Sequence, residues 1–316
     1  MSGRERFVRR GRIHRVSGEH EWSRSHCQCP VALPLSDRTV RVYFATRDAN
    51  NRSSTTYIEA DIDRPSDVTY VHDAPCIGPG AIGTFDDAGV MPSWIVPDEG
   101  RLLLYYSAWN VGGTVPYRIS IGLASSVDGG RAFERVSPAP IMDRSRFDPG
   151  WVAQPCVLRV TSSSWMMWYL SCTHWSVVAD RPEPHYHVKF AVSTDGVDWT
   201  RTGDVSLDYD ADSEAIGRPV VLFEDGIYKM YFSYRRVTAF RTDPRAAYRI
   251  GYAESHDGIR FERRPQCFEL TGPRDEWESV MNEYGTVYVH AGAKYLLYNG
   301  NGFGREGIGY AVTARR

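Results

Sequence analysis

Three acidic residues of this 316-residue chain stand where a paired-carboxylate reaction would need them. They are Asp87 in Phe85-Asp86-Asp87-Ala88-Gly89, Glu214 ahead of Ile216-Gly217-Arg218-Pro219, and Glu283 ahead of Gly285-Thr286-Val287. Each precedes a short apolar stretch that reads as a strand, so strands converging on one axis would bring the three into one pocket. Carboxyls sharing a poorly hydrated pocket repel one another, which raises at least one pKa and leaves an acid beside a base near neutral pH. Such a pair cleaves glycosidic bonds: by retention at a separation of about 5 Å, by inversion at about 6.5–9.5 Å, where a water fits between. A structural role stands beside each. Asp86-Asp87-Ala88-Gly89 has turn chemistry, and Glu214 is spaced to pair with Arg218.

The same strand starts, and the ends of the strands beside them, carry further candidates for substrate contact: His26, Gln28, Arg47, Asp48, Trp109, Gln154, His174, Trp175, Arg218, Arg235 and Asn301. Trp109 and Trp175 offer flat apolar faces to a sugar ring. Arg47 and Arg235 suit a carboxylate or phosphate on a substrate, or else neutralise the acidic ring. Cys27-Gln28-Cys29 beside His26 has metal-ligand residues, but no second cysteine or histidine pair follows at zinc-site spacing. Neither a metal nor a cofactor is expected.

What would position these groups is a repeat. Paired aromatics recur in Val42-Tyr43-Phe44-Ala45, Leu104-Tyr105-Tyr106-Ser107, Met167-Trp168-Tyr169-Leu170, Met230-Tyr231-Phe232-Ser233 and Leu297-Tyr298-Asn299. The copies lie about sixty residues apart, longer than the ~40–50 of common propeller repeats. A shorter apolar stretch, usually opened by proline, precedes each copy. A third strand follows, and three of these run into Ser126-Val127-Asp128-Gly129, Ser193-Thr194-Asp195-Gly196 and Ser255-His256-Asp257-Gly258. Asp-Gly supplies the positive φ of a tight hairpin, and the next aromatic (Phe133, Trp199, Phe261) opens an outer strand. The expected fold is all-β: a five-bladed β-propeller of four-stranded antiparallel blades around a central pocket, one domain over residues 1–316. The last repeat stops after its third strand, so the amino-terminal segment around 11–16 is expected to supply the missing outer strand and remove the open edge.

Composition agrees with many short strands joined by tight turns: 13% aromatic residues, 28 Gly and 18 Pro. A net charge of −2 with both signs interspersed gives no basic face for a phosphate backbone, which argues against a nucleic-acid partner. No apolar run reaches bilayer length and the arginine-rich start lacks a signal-peptide core, so no membrane partner and a cytoplasmic location are expected. The six scattered cysteines read as free buried thiols.

Tyr248-Arg249-Ile250-Gly251-Tyr252-Ala253-Glu254-Ser255-His256-Asp257-Gly258, Phe85-Asp86-Asp87-Ala88-Gly89-Val90, Arg218-Pro219 and Tyr298-Asn299-Gly300-Asn301 together resemble the five-bladed β-propeller glycosidase superfamily. This group holds arabinanases and β-xylosidases, invertases and levansucrases, and mannoside phosphorylases. The likeness spans nearly the whole chain and is nearest to uncharacterised members. It implies a glycoside hydrolase-like enzyme cleaving a glycosidic or N-glycosidic bond of a small sugar-containing substrate, with Glu214 as general acid and Asp87 or Glu283 as base or nucleophile. The chain departs from the pattern where arabinanase-type enzymes carry acids: the first blade has His26 and Gln28, and the third has Gln154, so only Asp87 carries over. The Asn-Asp-Pro of invertases and the Glu-Asp-Pro-Arg of mannoside phosphorylases are absent. Two alternatives stay open: a propeller that binds sugar without hydrolysis or serves another step on a sugar-bearing metabolite, and a phosphorylase with Arg47, Arg235 and His174 on the phosphate.

Overall fold

The computed structural model describes residues 4–210 and 214–315, of Glu214 the backbone alone. Its strands, in chain order, are β1 (Glu5–His14), β2 (Ser25–Pro34), β3 (Thr39–Arg47), β4 (Ser53–Asp61), β5 (Val68–Val71), β6 (Gly89–Asp98), β7 (Arg101–Val111), β8 (Tyr117–Ser126) and β9 (Glu134–Arg135). They continue as β10 (Val152–Thr161), β11 (Ser164–Val178), β12 (Arg181–Ser193), β13 (Thr200–Leu207), β14 (Glu214–Glu224), β15 (Ile227–Arg236), β16 (Arg249–Ser255) and β17 (Glu262–Arg263). The last four are β18 (Phe268–Thr271), β19 (Glu283–His290), β20 (Ala293–Asn299) and β21 (Ile308–Val312).

The chain is all-β. Consecutive strands form antiparallel meanders, β2 to β5, β6 to β9, β10 to β13 and β14 to β17, and a last one of β19, β20 and β21. Strand β1 returns to pair antiparallel with β21, Val8 opposite Val312 and His14 opposite Ile308, while β18 lies parallel along its other edge. The first strands of the meanders pack in a cycle: β2 on β6, β6 on β10, β10 on β14, β14 on β19, and β19 back on β2.

The second strands lie between neighbouring meanders, which explains their continuous apolar runs. Leu103, Leu104, Tyr105 and Tyr106 are all buried on both faces of the strand, so alternation of apolar and polar residues is lost. A buried phenol or indole still needs a hydrogen-bond partner. The Tyr43 hydroxyl donates to the Gly130 carbonyl at 2.8 Å, Tyr105 to Gly196 at 2.8 Å, and the Trp168 indole to Gly258 at 2.7 Å. Each acceptor sits in or beside the Ser-x-Asp-Gly turn of the following meander. The turn is built to present it. Ser126, Ser193 and Ser255 donate to Asp128, Asp195 and Asp257, and each serine accepts the amide of the acceptor glycine itself, at 2.9 Å. Gly130 has φ of 83°, and a Cβ there would come within 2.1 Å of the Tyr43 hydroxyl, so both conformation and space require glycine.

Tyr231 occupies the same place in β15 but finds a different acceptor. Its hydroxyl donates to the buried carboxylate of Glu5 in β1. Lys294 joins Glu5 and Glu224, each at 2.5 Å, and Lys229 lies 3.0 Å from Glu224 and 3.5 Å from Glu5. The amino-terminal strand is thus tied to β14, β15 and β20 by a largely buried charge network. Removing one member of such a network strands its partners without compensation, at about 3 kcal/mol or more. Glu5→Ala is therefore expected to lower the unfolding free energy by about that amount; equilibrium urea unfolding with an unchanged midpoint would rule the network out as the fastening of β1.

Candidate functional site

The ladder between each first strand and its neighbour breaks at a corresponding place. Register shifts fall between Gln28 and Val31, Pro92 and Trp94, Ala153 and Cys156, Gly217 and Val220, and Glu283 and Thr286. At four of these bulges a non-glycine residue is left-handed: Cys29 at φ 54°, Gln154 at 47°, Arg218 at 50° and Tyr284 at 52°. A bulge re-aims side chains and frees backbone groups from the ladder, and here side chains of other strands take up the freed amides. Cys29 N–H donates to Asn299 Oδ1 at 3.1 Å, Gln154 to Ser107 Oγ at 2.8 Å, Arg218 to Gln154 Oε1 at 2.9 Å, and Tyr284 to Ser233 Oγ at 2.9 Å.

These bulges surround a cavity of about 310 Å³. Gln28, Cys29, Gln154 and Tyr284 reach it from the bulged segments; Trp109, Tyr117, Trp151 and Tyr186 supply aromatic faces; Arg47 and Arg241 bring charge. Arg47 Nε donates to Gln28 Oε1 at 2.8 Å, and its guanidinium lies 5.9 Å from the Trp109 ring. The Trp109 indole is itself fixed by Ser53 Oγ at 2.7 Å. Trp151 packs on Tyr186 with ring centres 5.0 Å apart. Tyr186 shares a hydrogen bond with the Tyr248 hydroxyl, which accepts from Arg235 Nε at 3.1 Å. Arg241 pairs with Glu183 at 3.2 Å.

Glu283 stands immediately before the wall residue Tyr284 and is wholly buried. One carboxyl oxygen accepts from Asn299 Nδ2 at 2.9 Å; the other has no partner among the described residues. Burial pushes this carboxyl well above the usual range, against the opposing pull of Arg235, the Asn299 amide, Arg241 and Arg47. The shift favours the acid form of a carboxyl beside an aromatic cavity, the direction a proton donor needs.

Of the residues singled out in the sequence, Gln28, Arg47, Trp109 and Gln154 line the cavity. The others lie elsewhere, for definite reasons. Asp87 accepts the Gly83 amide at 3.0 Å and closes a turn, while its neighbour Asp86 is buried against Arg135 at 2.6 Å. Asp48 accepts the amides of Asn50 and Arg52 and pairs with the Arg52 side chain. Among the described residues Arg218 meets no carboxylate; buried, it donates to the carbonyls of Pro30 at 2.9 Å and Pro92 at 3.2 Å. Arg235 lies behind Tyr186, 3.7 Å from the Phe240 ring centre. His174 is exposed and stacked on His185 at 4.1 Å, and Trp175 meets Tyr117 edge-on at 5.4 Å, one layer behind the wall. Asn301 clamps a turn, accepting the amides of Val280 and Met281. His26 bonds Ser25 Oγ at 2.7 Å, and burial, then Arg47 and Arg305, lower its pKa to about 4. The side chain of Glu214 lies outside the described residues. Among the described residues no cluster of three or more His, Cys, Asp or Glu forms a metal site.

Sequence reasoning missed Cys29, Tyr117, Trp151, Tyr186, Arg241, Tyr284 and Phe303. Cys29 stands before Pro30 as Gln154 stands before Pro155, a signal that was available; Arg241 comes from a β15–β16 connection with no repeat pattern to mark it.

Solved structures share this architecture. The chain superposes on a solved glycoside hydrolase with a TM-score of 0.73 and 16% identity, covering 98% of this chain and 93% of that one. A structure reported under "The GH130 family of mannoside phosphorylases contains glycoside hydrolases that target beta-1,2 mannosidic linkages in Candida mannan" gives 0.72 and 16%, over 98% and 94%. A glycosyl hydrolase from Bacteroides ovatus gives 0.72 and 15%, over 99% and 96%. The fold is therefore that of the propeller-like glycoside hydrolases. No family model matches the chain. It is 37% identical over 303 residues, 96% of its own length and 97% of theirs, to Uncharacterized protein MT1551 and Uncharacterized protein Rv1502 of two Mycobacterium tuberculosis strains, CDC 1551 / Oshkosh and H37Rv, and it belongs to their family.

The raised pKa of Glu283 makes stability pH-dependent. As pH rises past the ordinary value of 4.5, the unfolded chain releases this proton while the folded chain retains it, so the contribution to stability is full in acid and falls with rising pH. Glu283→Gln cannot ionise. Its unfolding midpoint relative to the wild type is expected to climb as pH rises above about 5; a difference that stays flat would show that burial does not raise this carboxyl.

Proposed function

We propose that the protein is a sugar-processing enzyme that cleaves a glycosidic or N-glycosidic bond in this cavity, with Glu283 donating the proton to the leaving group. The meanders are then five blades of one closed domain, β1 completing the last, a reading supported by the cyclic packing of the first strands. The observation that carries the functional reading is Glu283: a wholly buried carboxyl, pushed toward its acid form by that burial, with an oxygen that has no partner among the described residues, next in sequence to the wall residue Tyr284. The aromatic faces of that wall suit the apolar side of a pyranose or furanose ring, and Gln28 and Gln154 offer amide groups to its hydroxyls. The partner carboxylate assigned to the reaction is Glu214, whose backbone opens β14 three residues before Gly217, where a Cβ would lie 3.6 Å from Gln154 Oε1 and 3.9 Å from Tyr186. Asp87 is given no part, because its carboxylate is engaged in its own turn.

One observation favours a second reading. Among the described residues the wall carries two guanidinium groups and no carboxylate, which suits a protein that binds a sugar without hydrolysing it, or a phosphorylase in which phosphate attacks the anomeric carbon. A panel of glycosides assayed with and without inorganic phosphate separates these. General acid catalysis contributes about 10²–10⁴-fold, so Glu283→Gln is expected to lower kcat by that factor on substrates with poor leaving groups, and by less on nitrophenyl glycosides. Full activity in the variant, or turnover only with phosphate, would exclude hydrolysis with Glu283 as the acid.

A further inference from the structure

Arg47 has the most unusual electrostatic setting in the cavity. Its Nε is spent on Gln28, yet its two terminal nitrogens have no hydrogen-bond partner, and no carboxylate lies within ion-pair distance of it among the described residues. Arg241 is compensated by Glu183, and Arg235 is engaged by Tyr248 and the Arg236 carbonyl. Glu283 makes no ion pair with Arg47, and its burial disfavours the charged form that could serve as a counterion. A half-buried guanidinium with neither a counterion nor, unlike Arg218, carbonyls on its terminal nitrogens is costly, and an anion held at its free edge would offset that cost. Its free edge is a planar fork of N–H donors that matches two oxygens of one anionic group, a geometry an ammonium lacks. The orientation is fixed by Gln28 on one side and the Trp109 ring on the other.

Resting on the reading of this cavity as the sugar site, we infer that its substrate carries an anionic substituent, a carboxylate or a phosphoryl ester, which Arg47 binds through its free edge. The neutral part of the sugar stacks on the aromatic faces. Specificity between acidic and neutral sugars then resides in one side chain.

Calorimetric titration of the wild type, Arg47→Met and Arg47→Lys tests this with hexuronic acids, hexose 6-phosphates, the neutral parent hexoses and inorganic phosphate as probes. An acidic sugar is expected to bind at least about tenfold more tightly than its parent. That preference should weaken with salt, vanish in Arg47→Met and return in part in Arg47→Lys. A gain confined to hexuronic acids identifies the carboxylate as the group, and one confined to hexose phosphates the phosphoryl ester. Equal binding of acidic and neutral sugars overturns the inference, as does inorganic phosphate binding as tightly as any sugar phosphate, which marks an adventitious anion site. Because Arg47→Met removes an uncompensated charge, the ligand-free variant should unfold at the same temperature as the wild type or higher; earlier unfolding would make Arg47 structural and overturn the inference too. Binding is read without turnover: acidic sugars that bind and are not cleaved sustain this inference while defeating the acid role of Glu283.

Discussion

A left-handed backbone at a residue with a side chain costs on the order of 1 kcal/mol, and this chain accepts that strain at Cys29, Gln154, Arg218 and Tyr284. The site depends on it. An unbroken first strand would hold its amides in the ladder and point alternate residues at the neighbouring meanders. The bulge turns one amide out, and Asn299, Ser107, Gln154 or Ser233 captures it. Each capture is a short polar link between strands, worth about 1 kcal/mol by itself. The strain is thus offset locally, and what remains is a set of side chains aimed inward from segments far apart in sequence.

Much of the fold was legible because its devices are local. The Ser-x-Asp-Gly turns read as tight hairpins from glycine's conformational freedom; they do join antiparallel neighbours, but through loops of seven or eight residues that the Asp and Ser side chains brace. The recurring aromatic pairs marked the second strands. What they could not reveal is that Tyr43, Tyr105 and Trp168 reach forward to the turn of the following meander, so two features counted separately in the sequence are halves of one contact. Nor did the sequence show that Glu5 would stand in for that turn at Tyr231; a lone glutamate in an arginine-rich stretch gives no sign of burial.

The site was harder to read, for a physical reason. Strand ends are visible in sequence, but a one-residue bulge decides which neighbour faces the axis, and a pattern of period two carries no record of it. So Gln154 and Glu283 both stood out in the sequence, whereas Tyr284, which with Gln154 lines the cavity, did not. Asp87 shows a second ambiguity: an acidic residue at a strand start is as suited to catching a turn amide as to chemistry, and here it holds Gly83. Residues from connections, such as Arg241 and Phe303, enter the wall only through tertiary packing.

The side chain of Arg218 spans the middle of the molecule, donating to carbonyls in β2 and β6, while its amide is held from β10 and its own strand is β14. One residue therefore fastens four first strands to one another close to their bulges. None of these strands can shift against the others without giving up a hydrogen bond to it, so the wall that they build is held in register from within rather than by the loops around its rim.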